Sequence, residues 1–230
     1  MKYQNIIKAT FVTRPNRFIA YCKVEEQMVI AHVKNTGRCK ELLVPGAVVY
    51  LEPANNSKRK TAYSLIGVKK GELLINIDSS APNKVVFEAL KKDSIVLPSL
   101  NEIIQIKQEA TYQASRFDFY VETKNQKAFI EVKGVTLEED GIAMFPDAPT
   151  ERGIKHLEEL IIAADNGFLS YIVFIIQMKG VKYFTPNNIT HAMFGETLHK
   201  AVTSGVNAIA YDCYVAKDLI ELADQVPIRI

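Results

Sequence analysis

Along the first third of the chain, apolar residues alternate with polar ones or gather in short runs: RFIAYCKV, QMVIAHV, AVVYLEP, TAYSLIGVK and ELLINI, parted by turn-forming stretches such as PGA and NNSKRK. Side chains alternate faces along a strand, so runs of this length and spacing predict several short strands in a small barrel or sandwich. No segment there carries the 3.6-residue repeat of a long helix. From Asn83 the texture changes. Asn83 is a candidate cap for a helix over KVVFEALKKD, and three strand-like runs follow, EIIQIKQEATY, RFDFYVE and KAFIEVK. Thr150 then opens a helix with Ile154, Leu157, Leu160, Ile161 and Ala164 on one face and Gly167 at its end. The strongly apolar LSYIVFIIQM predicts a buried strand, residues 188 to 204 a further helix, and VNAIAYDCYV a last strand. That order is the order of an α/β layer with a mixed sheet. The turn-like SSAPN marks the boundary, which gives two domains, residues 1–82 and 83–230.

Charge sharpens this division. Of 28 Lys and Arg and 26 Asp and Glu, 13 basic and 6 acidic residues fall up to Pro82, a balance of +7; the remaining 15 and 20 give −5. A basic half beside an acidic half with patterned carboxylates suggests a polyanion grip next to a cation-dependent site. The 230 residues contain no apolar run long enough for a membrane helix and no apolar leader, which predicts a cytoplasmic protein. Cys22, Cys39 and Cys213 are odd in number and widely spaced, as expected of reduced, buried thiols rather than a disulfide framework or zinc site.

The chemistry concentrates in SRFDFYVE and KAFIEVKG. Strand alternation puts Glu131 and Lys133 on one face with Ile130 and Val132 on the other, and puts Asp118 opposite Phe117 and Phe119. If the two strands are neighbours, both carboxylates converge on one face. Mg²⁺ or Mn²⁺ takes oxygen ligands, one or two carboxylates completed by phosphate and water, and a lysine beside them can orient the attacking water or offset charge on the phosphorus centre. A Glu and a Lys two apart on an exposed strand are common surface chemistry; the partner Asp118 is what raises them above it.

SRFDF, IEVKGVTL and FPDAPTERGIKHLEEL, with RFIAYCKV and HVKNTGRCKELLVPGA upstream, resemble the sugar fermentation stimulation protein A family over nearly the whole chain. The resemblance implies an N-terminal all-β OB-fold barrel followed by an α/β domain similar to the PD-(D/E)xK, restriction-endonuclease-like nucleases. It also implies DNA as the partner and a link to the regulation of sugar, notably maltose, use. By that pattern Asp118, Glu131 and Lys133 match the catalytic core. Glu88 matches the further metal carboxylate that the preceding helix often supplies. Many relatives read Cys-Pro where this chain has Val33 and Lys34.

Candidate nucleic-acid contacts in the basic half are Arg14, Arg17, Lys34, Arg38, Lys40 and the run Lys58, Arg59, Lys60, interleaved with Phe11, Phe18 and Tyr21 as stacking platforms. NTGRCK has the small, polar residues of a loop that lets backbone approach a phosphate. Near the start of the Thr150 helix, Arg152 and Lys155 are further candidates, since a helix N-terminus favours an anion and Arg152 is a cation where the dipole disfavours one. His156 is a neighbour of the site or a surface residue; His191 and His199 are structural or exposed. The sequence supports a metal-dependent phosphodiester hydrolase, a DNA-binding transcriptional regulator without catalysis, or a binder of another polyanion or sugar phosphate, and leaves oligomeric state open, a homodimer included.

Overall fold

In the computed structural model, residues 1–35, 37–54 and 59–230 are described; Lys58 of the basic run and the Thr of NTGRCK lie outside them. The first domain is built from β1 (Ile7–Asn16), β2 (Ile19–Val24), β3 (Gln27–Val33), β4 (Val48–Pro53), β5 (Tyr63–Lys70) and β6 (Leu73–Asn76). Hydrogen-bonded neighbours run β3-β2-β1-β4-β5-β6, and β3 also pairs with β5 in parallel. This second pairing closes β1-β2-β3-β5-β4 into the five-stranded barrel expected of an OB fold, while β6 hangs on β5. Closure leaves those five strands no free edge, and their inward residues Phe11, Ala20, Cys22, Ala31, Val49 and Leu65 fill the barrel. β1 is absent from the runs recognised in the sequence because Arg14, Pro15 and Asn16 break its apolar pattern.

The second domain contains α1 (Ala81–Lys91), β7 (Gln105–Tyr112), β8 (Ser115–Glu122), β9 (Lys127–Val135), β10 (Leu137–Glu139), β11 (Ile142–Phe145), α2 (Glu151–Asp165), β12 (Leu169–Ile176), β13 (Tyr183–Pro186), α3 (Asn188–Thr203), β14 (Asn207–Ala216) and β15 (Leu219–Val226). Its main sheet has the order β15-β14-β12-β9-β8-β7, parallel across β9, β12 and β14 and antiparallel outside them. β10, β11 and β13 form a small side sheet. α1 packs on the face holding Ile130, Val132, Tyr171 and Val173, and α2 and α3 on the face holding Phe129, Ile172 and Phe174. β12, buried on both faces, is therefore apolar at every position but its second, as is usual for a central parallel strand.

Two local expectations are corrected. Asn83 is not the cap of α1: the helix starts at Ala81 behind Ser80, with Pro82 in its first turn, where proline's fixed φ suits a helix start and its missing N–H costs nothing. Asn83 is thus inside the helix with its side chain free for other work. Thr150 does cap α2, its hydroxyl accepting the Gly153 N–H at 3.1 Å, but the buried face of α2 includes His156 and Glu159 beside Leu157 and Leu160.

The domains share more than a linker. One continuous apolar cluster holds both the barrel interior, with Phe11, Val49 and Leu65, and the α2/α3 side of the main sheet, with Leu157, Phe174 and Phe194. Polar bonds cross the same boundary: Lys70 Nζ to Glu138 Oε2 at 2.7 Å, Gln177 Nε2 to Asn76 Oδ1 at 2.9 Å, and the Arg38 N–H to Asp147 Oδ2 at 3.0 Å. Cys22, Cys39 and Cys213 are free and buried. Among the described residues no helix is long and apolar enough to cross a membrane.

Candidate metal and nucleic-acid site

β9 follows simple alternation through the site. Phe129 and Val135 point to the α2 side and Ala128, Ile130 and Val132 to the α1 side, so Glu131 and Lys133 share the α2 face. Lys133 Nζ donates to Glu131 Oε1 at 2.6 Å, and His156 Nδ1 on α2 bonds the same oxygen. Glu131 is only 3% exposed, and its second oxygen, Oε2, is buried without a partner. Burial pushes this carboxyl's pKa up, but Lys133 and His156 together outweigh it and hold the group below its ordinary value.

β8 does not alternate as simply. Phe117 packs with the α2-side core and Phe119 with the α1-side core, so the rings lie on opposite faces and Asp118 is not opposite both of them. The reason is a local break in the sheet: the β8–β9 ladder stops at Phe119–Ile130, and β7–β8 pairing skips the step between Gln108–Phe119 and Ala110–Phe117, where Glu109 takes a φ of 53°. At that gap Asp118 Oδ2 accepts the Val132 N–H at 2.7 Å and Oδ1 accepts Asn83 Nδ2 at 2.7 Å. Burial raises its pKa, and the charge of Glu131 raises it further, against the two hydrogen bonds and Lys133. The two carboxylates therefore feel each other across the β8–β9 junction.

Glu88 does not join them. It lies about 140° around α1 from Asn83, and its side chain, 45% exposed, pairs with the Met1 amine at 2.8 Å. Helical phase thus brings Asn83 to Asp118 and turns Glu88 to the chain start. Among the described residues no group of three or more His, Cys, Asp and Glu side chains is arranged to hold a metal ion. What Asp118 and Glu131 present is a two-carboxylate pattern, which suits a hard divalent cation only when water and phosphate oxygens complete its shell. Within that pattern the residues fit the ion, because the orphaned Oε2 and the mutual repulsion of the carboxylates are both relieved by a cation.

Arg152 and Lys155 are engaged locally. Arg152 Nε donates to His156 Nε2 at 3.3 Å, and Lys155 Nζ to the Ala114 carbonyl at 3.2 Å. The cation that looked misplaced at a helix start is thereby tied to the site through His156. His156, 5% exposed with Phe117 set edge-on to its ring, is the residue that sequence reasoning left undecided; its position one step before Leu157 on the apolar stripe was the available signal. His191 Nδ1 accepts the Thr150 N–H at 3.2 Å, a structural role.

In the barrel a groove of about 530 Å³ is lined by Arg14, Arg17, Gly37, Arg38 and Lys40 together with Phe11 and Leu43. Its cations differ in freedom. Arg17, Arg38 and Lys40 are exposed, whereas the Arg14 guanidinium donates to the carbonyls of Arg17, Asn35, Gly37 and Arg38 at 2.7 to 3.1 Å. Arg14 is a clip for the loop and not a free phosphate ligand. Lys34 is turned inward to Asp78 Oδ2 at 3.2 Å. Arg59 bonds Ser64 and Thr61. Of the three aromatic candidates, Phe11 is core, Tyr21 is half-buried, and Phe18 is 45% exposed with Arg17 over its ring at 4.8 Å.

Comparison with known proteins places this geometry. Residues 12–77 match the N-terminal OB domain of the sugar fermentation stimulation proteins, and residues 80–218 match their RE domain. A sugar fermentation stimulation protein homolog of Clostridium beijerinckii is 55% identical over 228 residues, 99% of each chain, and one of Ruminiclostridium cellulolyticum is 54% identical over the full length of both. The solved structure of Pyrococcus furiosus SfsA in complex with Ca²⁺ superimposes with a TM-score of 0.90 at 30% identity, covering 100% of this chain and 98% of that one. With both domains matched in order and relatives identical at more than half of their positions, this chain belongs to the sugar fermentation stimulation protein family.

Proposed function

We propose that the chain binds nucleic acid, DNA foremost, through the cationic groove of its barrel, and that Asp118, Glu131 and Lys133 form a divalent-metal-dependent site for phosphodiester hydrolysis. The observation that carries the reading is Glu131 Oε2, a buried carboxylate oxygen without a partner, beside a second carboxylate whose ionisation it opposes. Asp118 and Glu131 would hold Mg²⁺ or Mn²⁺, and the bound ion would supply Lewis-acid activation of water and charge neutralisation at phosphate. The chain's own residues do the rest. Lys133 aims an ammonium group along the Glu131 carboxylate, where it can donate to a phosphate oxygen; Asn83 and the Val132 N–H fix the Asp118 carboxylate; Arg17, Arg38 and Lys40 attract the phosphate backbone. The relative from Pyrococcus furiosus, solved with Ca²⁺, supports a hard cation as ligand. The family's name supports a role in sugar use, with regulation of maltose metabolism as the expected setting.

A second reading, a DNA-binding regulator without turnover, is favoured by one observation: Glu131 Oε1 is already balanced by Lys133 and His156, so the site holds together without a cation. One experiment separates the two. Purified protein, Lys133→Ala and Asp118→Asn are incubated with single- and double-stranded DNA and with RNA in Mg²⁺ or Mn²⁺, and affinity is titrated against salt. Hydrolysis by wild type alone, with affinity falling steeply as salt rises, supports the hydrolase. Salt-dependent binding with no cleavage leaves the regulator, and salt-independent binding refutes the groove.

A further inference from the structure

Four side chains form a line across the β9–α2 junction: Arg152 Nε to His156 Nε2 at 3.3 Å, His156 Nδ1 to Glu131 Oε1, and Lys133 Nζ to the same oxygen at 2.6 Å. The guanidinium N–H is always a donor, so His156 Nε2 must be bare, and the ring proton must sit on Nδ1, facing the carboxylate. The Glu131 carboxylate, which only accepts, takes the Nδ1 proton, and Arg152 keeps Nε2 bare, so the two together set the tautomer. The ring has no freedom to turn away, being 5% exposed with Phe117 edge-on to it at 6.2 Å between centroids. Oε1 thus receives two donors and Oε2 none, although both oxygens belong to one buried carboxylate. An asymmetry of this kind has a chemical use. A carboxylate anchored by one oxygen offers the other in a fixed direction, and an imidazole fixed from behind is a common way to orient a metal-binding group.

We infer that His156, held between Arg152 and Glu131 as the Nδ1–H tautomer, is a positioning residue that anchors Glu131 through Oε1 and leaves Oε2 as the oxygen that takes a divalent cation. The cation half of this statement rests on the proposed function; the tautomer half does not. Helix α2 is then part of the site and not merely its cover, and Arg152, four residues before His156, acts on the carboxylate without touching it.

Two measurements test it. Long-range ¹⁵N correlation spectra of the metal-free protein distinguish the two neutral imidazole tautomers. The His156 ring shows the Nδ1–H pattern in wild type, whereas a wild-type Nε2–H pattern, or a proton on both ring nitrogens, overturns the lock. Mn²⁺ affinity is then measured by calorimetry and electron paramagnetic resonance. His156→Leu binds Mn²⁺ about 10- to 100-fold more weakly, while His156→Asn, whose amide N–H lies near the Nδ1 position, recovers most of the loss. Equal affinity for His156→Leu and wild type, with the variant folded by circular dichroism, overturns the positioning role. So does equal loss in His156→Asn and His156→Leu. If wild type binds no Mn²⁺ at all, the cation reading of the site falls with it, and the ¹⁵N spectra still decide the lock separately.

Discussion

Lys34 Nζ lies 3.2 Å from Asp78 Oδ2, a carboxylate with no exposed surface, so one cation of the basic domain is committed to the interior while its neighbours in sequence face the groove. Formal charge therefore overstates the binding surface. Lys34 belongs with the framework, whereas Arg17, Arg38 and Lys40 stay exposed at the groove proposed to bind nucleic acid.

The two groups respond differently to truncation. If the proposed groove binds DNA, Arg17→Ala, Arg38→Ala and Lys40→Ala are each expected to lower DNA affinity and reduce the salt slope by about 1, with little change in unfolding free energy. Lys34→Ala leaves the slope almost unchanged and costs about 2 kcal/mol of stability, because it strands a hydrogen-bonded buried carboxylate. Salt-titrated fluorescence anisotropy beside urea unfolding reads both quantities; a slope change for Lys34→Ala equal to that for Arg38→Ala contradicts the assignment.

Acid should loosen the domain boundary at Glu138. Burial raises this carboxyl's pKa, but Lys70 and the Gly141 N–H outweigh burial and hold it below the ordinary 4.5. A lowered folded-state value means that the stabilisation is complete above the unfolded-state value and fades as pH falls through the folded one. Glu138→Gln loses about 1 to 2 kcal/mol at pH 7. Its stability then declines less steeply than wild type's between about pH 5 and pH 3. Urea unfolding at both ends of that window checks the sign.

At Gly134 there is no room for a side chain: a Cβ would stand 2.6 Å from Gln177 Oε1 and 2.8 Å from Pro82 Cγ. Gln177 is itself bonded to Asn76 and Asp78 across the domain boundary. Gly134→Ala is expected to cost about 1 to 3 kcal/mol and to disturb Lys133, its neighbour in β9. Thermal unfolding gives the first effect, and loss of Mn²⁺ affinity beyond that of an equally destabilised core variant gives the second.

Burial pushes the Cys22 and Cys39 thiols up to about 12 and Cys213 higher still. Thiolate is the reactive species, so none of the three should react with Ellman's reagent in the native protein at pH 8, and all three should react once denaturant is added. Rapid labelling of the native chain would contradict their placement.

Much of the architecture was legible because alternation and helical repeat are local properties. The runs of β2 to β6, the polar face of β9 with Glu131 and Lys133, and the Thr150 cap all depend on neighbours a few positions away. What depends on distant partners was not legible. The slip at Asp118, which separates Phe117 from Phe119, follows from how β7 and β9 meet β8. The capture of Asn83 by Asp118 and of Glu88 by Met1 follows from where α1 lands. Arg14 and Lys34 look like their exposed neighbours in sequence, and only the loop carbonyls around Arg14 and the carboxylate of Asp78 distinguish them. β15, the small side sheet and β1 carry too few contiguous apolar positions to announce themselves.

The apolar cluster that runs from the barrel into the α2/α3 layer has a practical corollary for anyone dissecting this protein. Severed near residue 80, each fragment would bare a greasy wall to water and tend to clump. Heat should likewise dismantle both pieces in a single cooperative step, since melting either one strips the lining from the other.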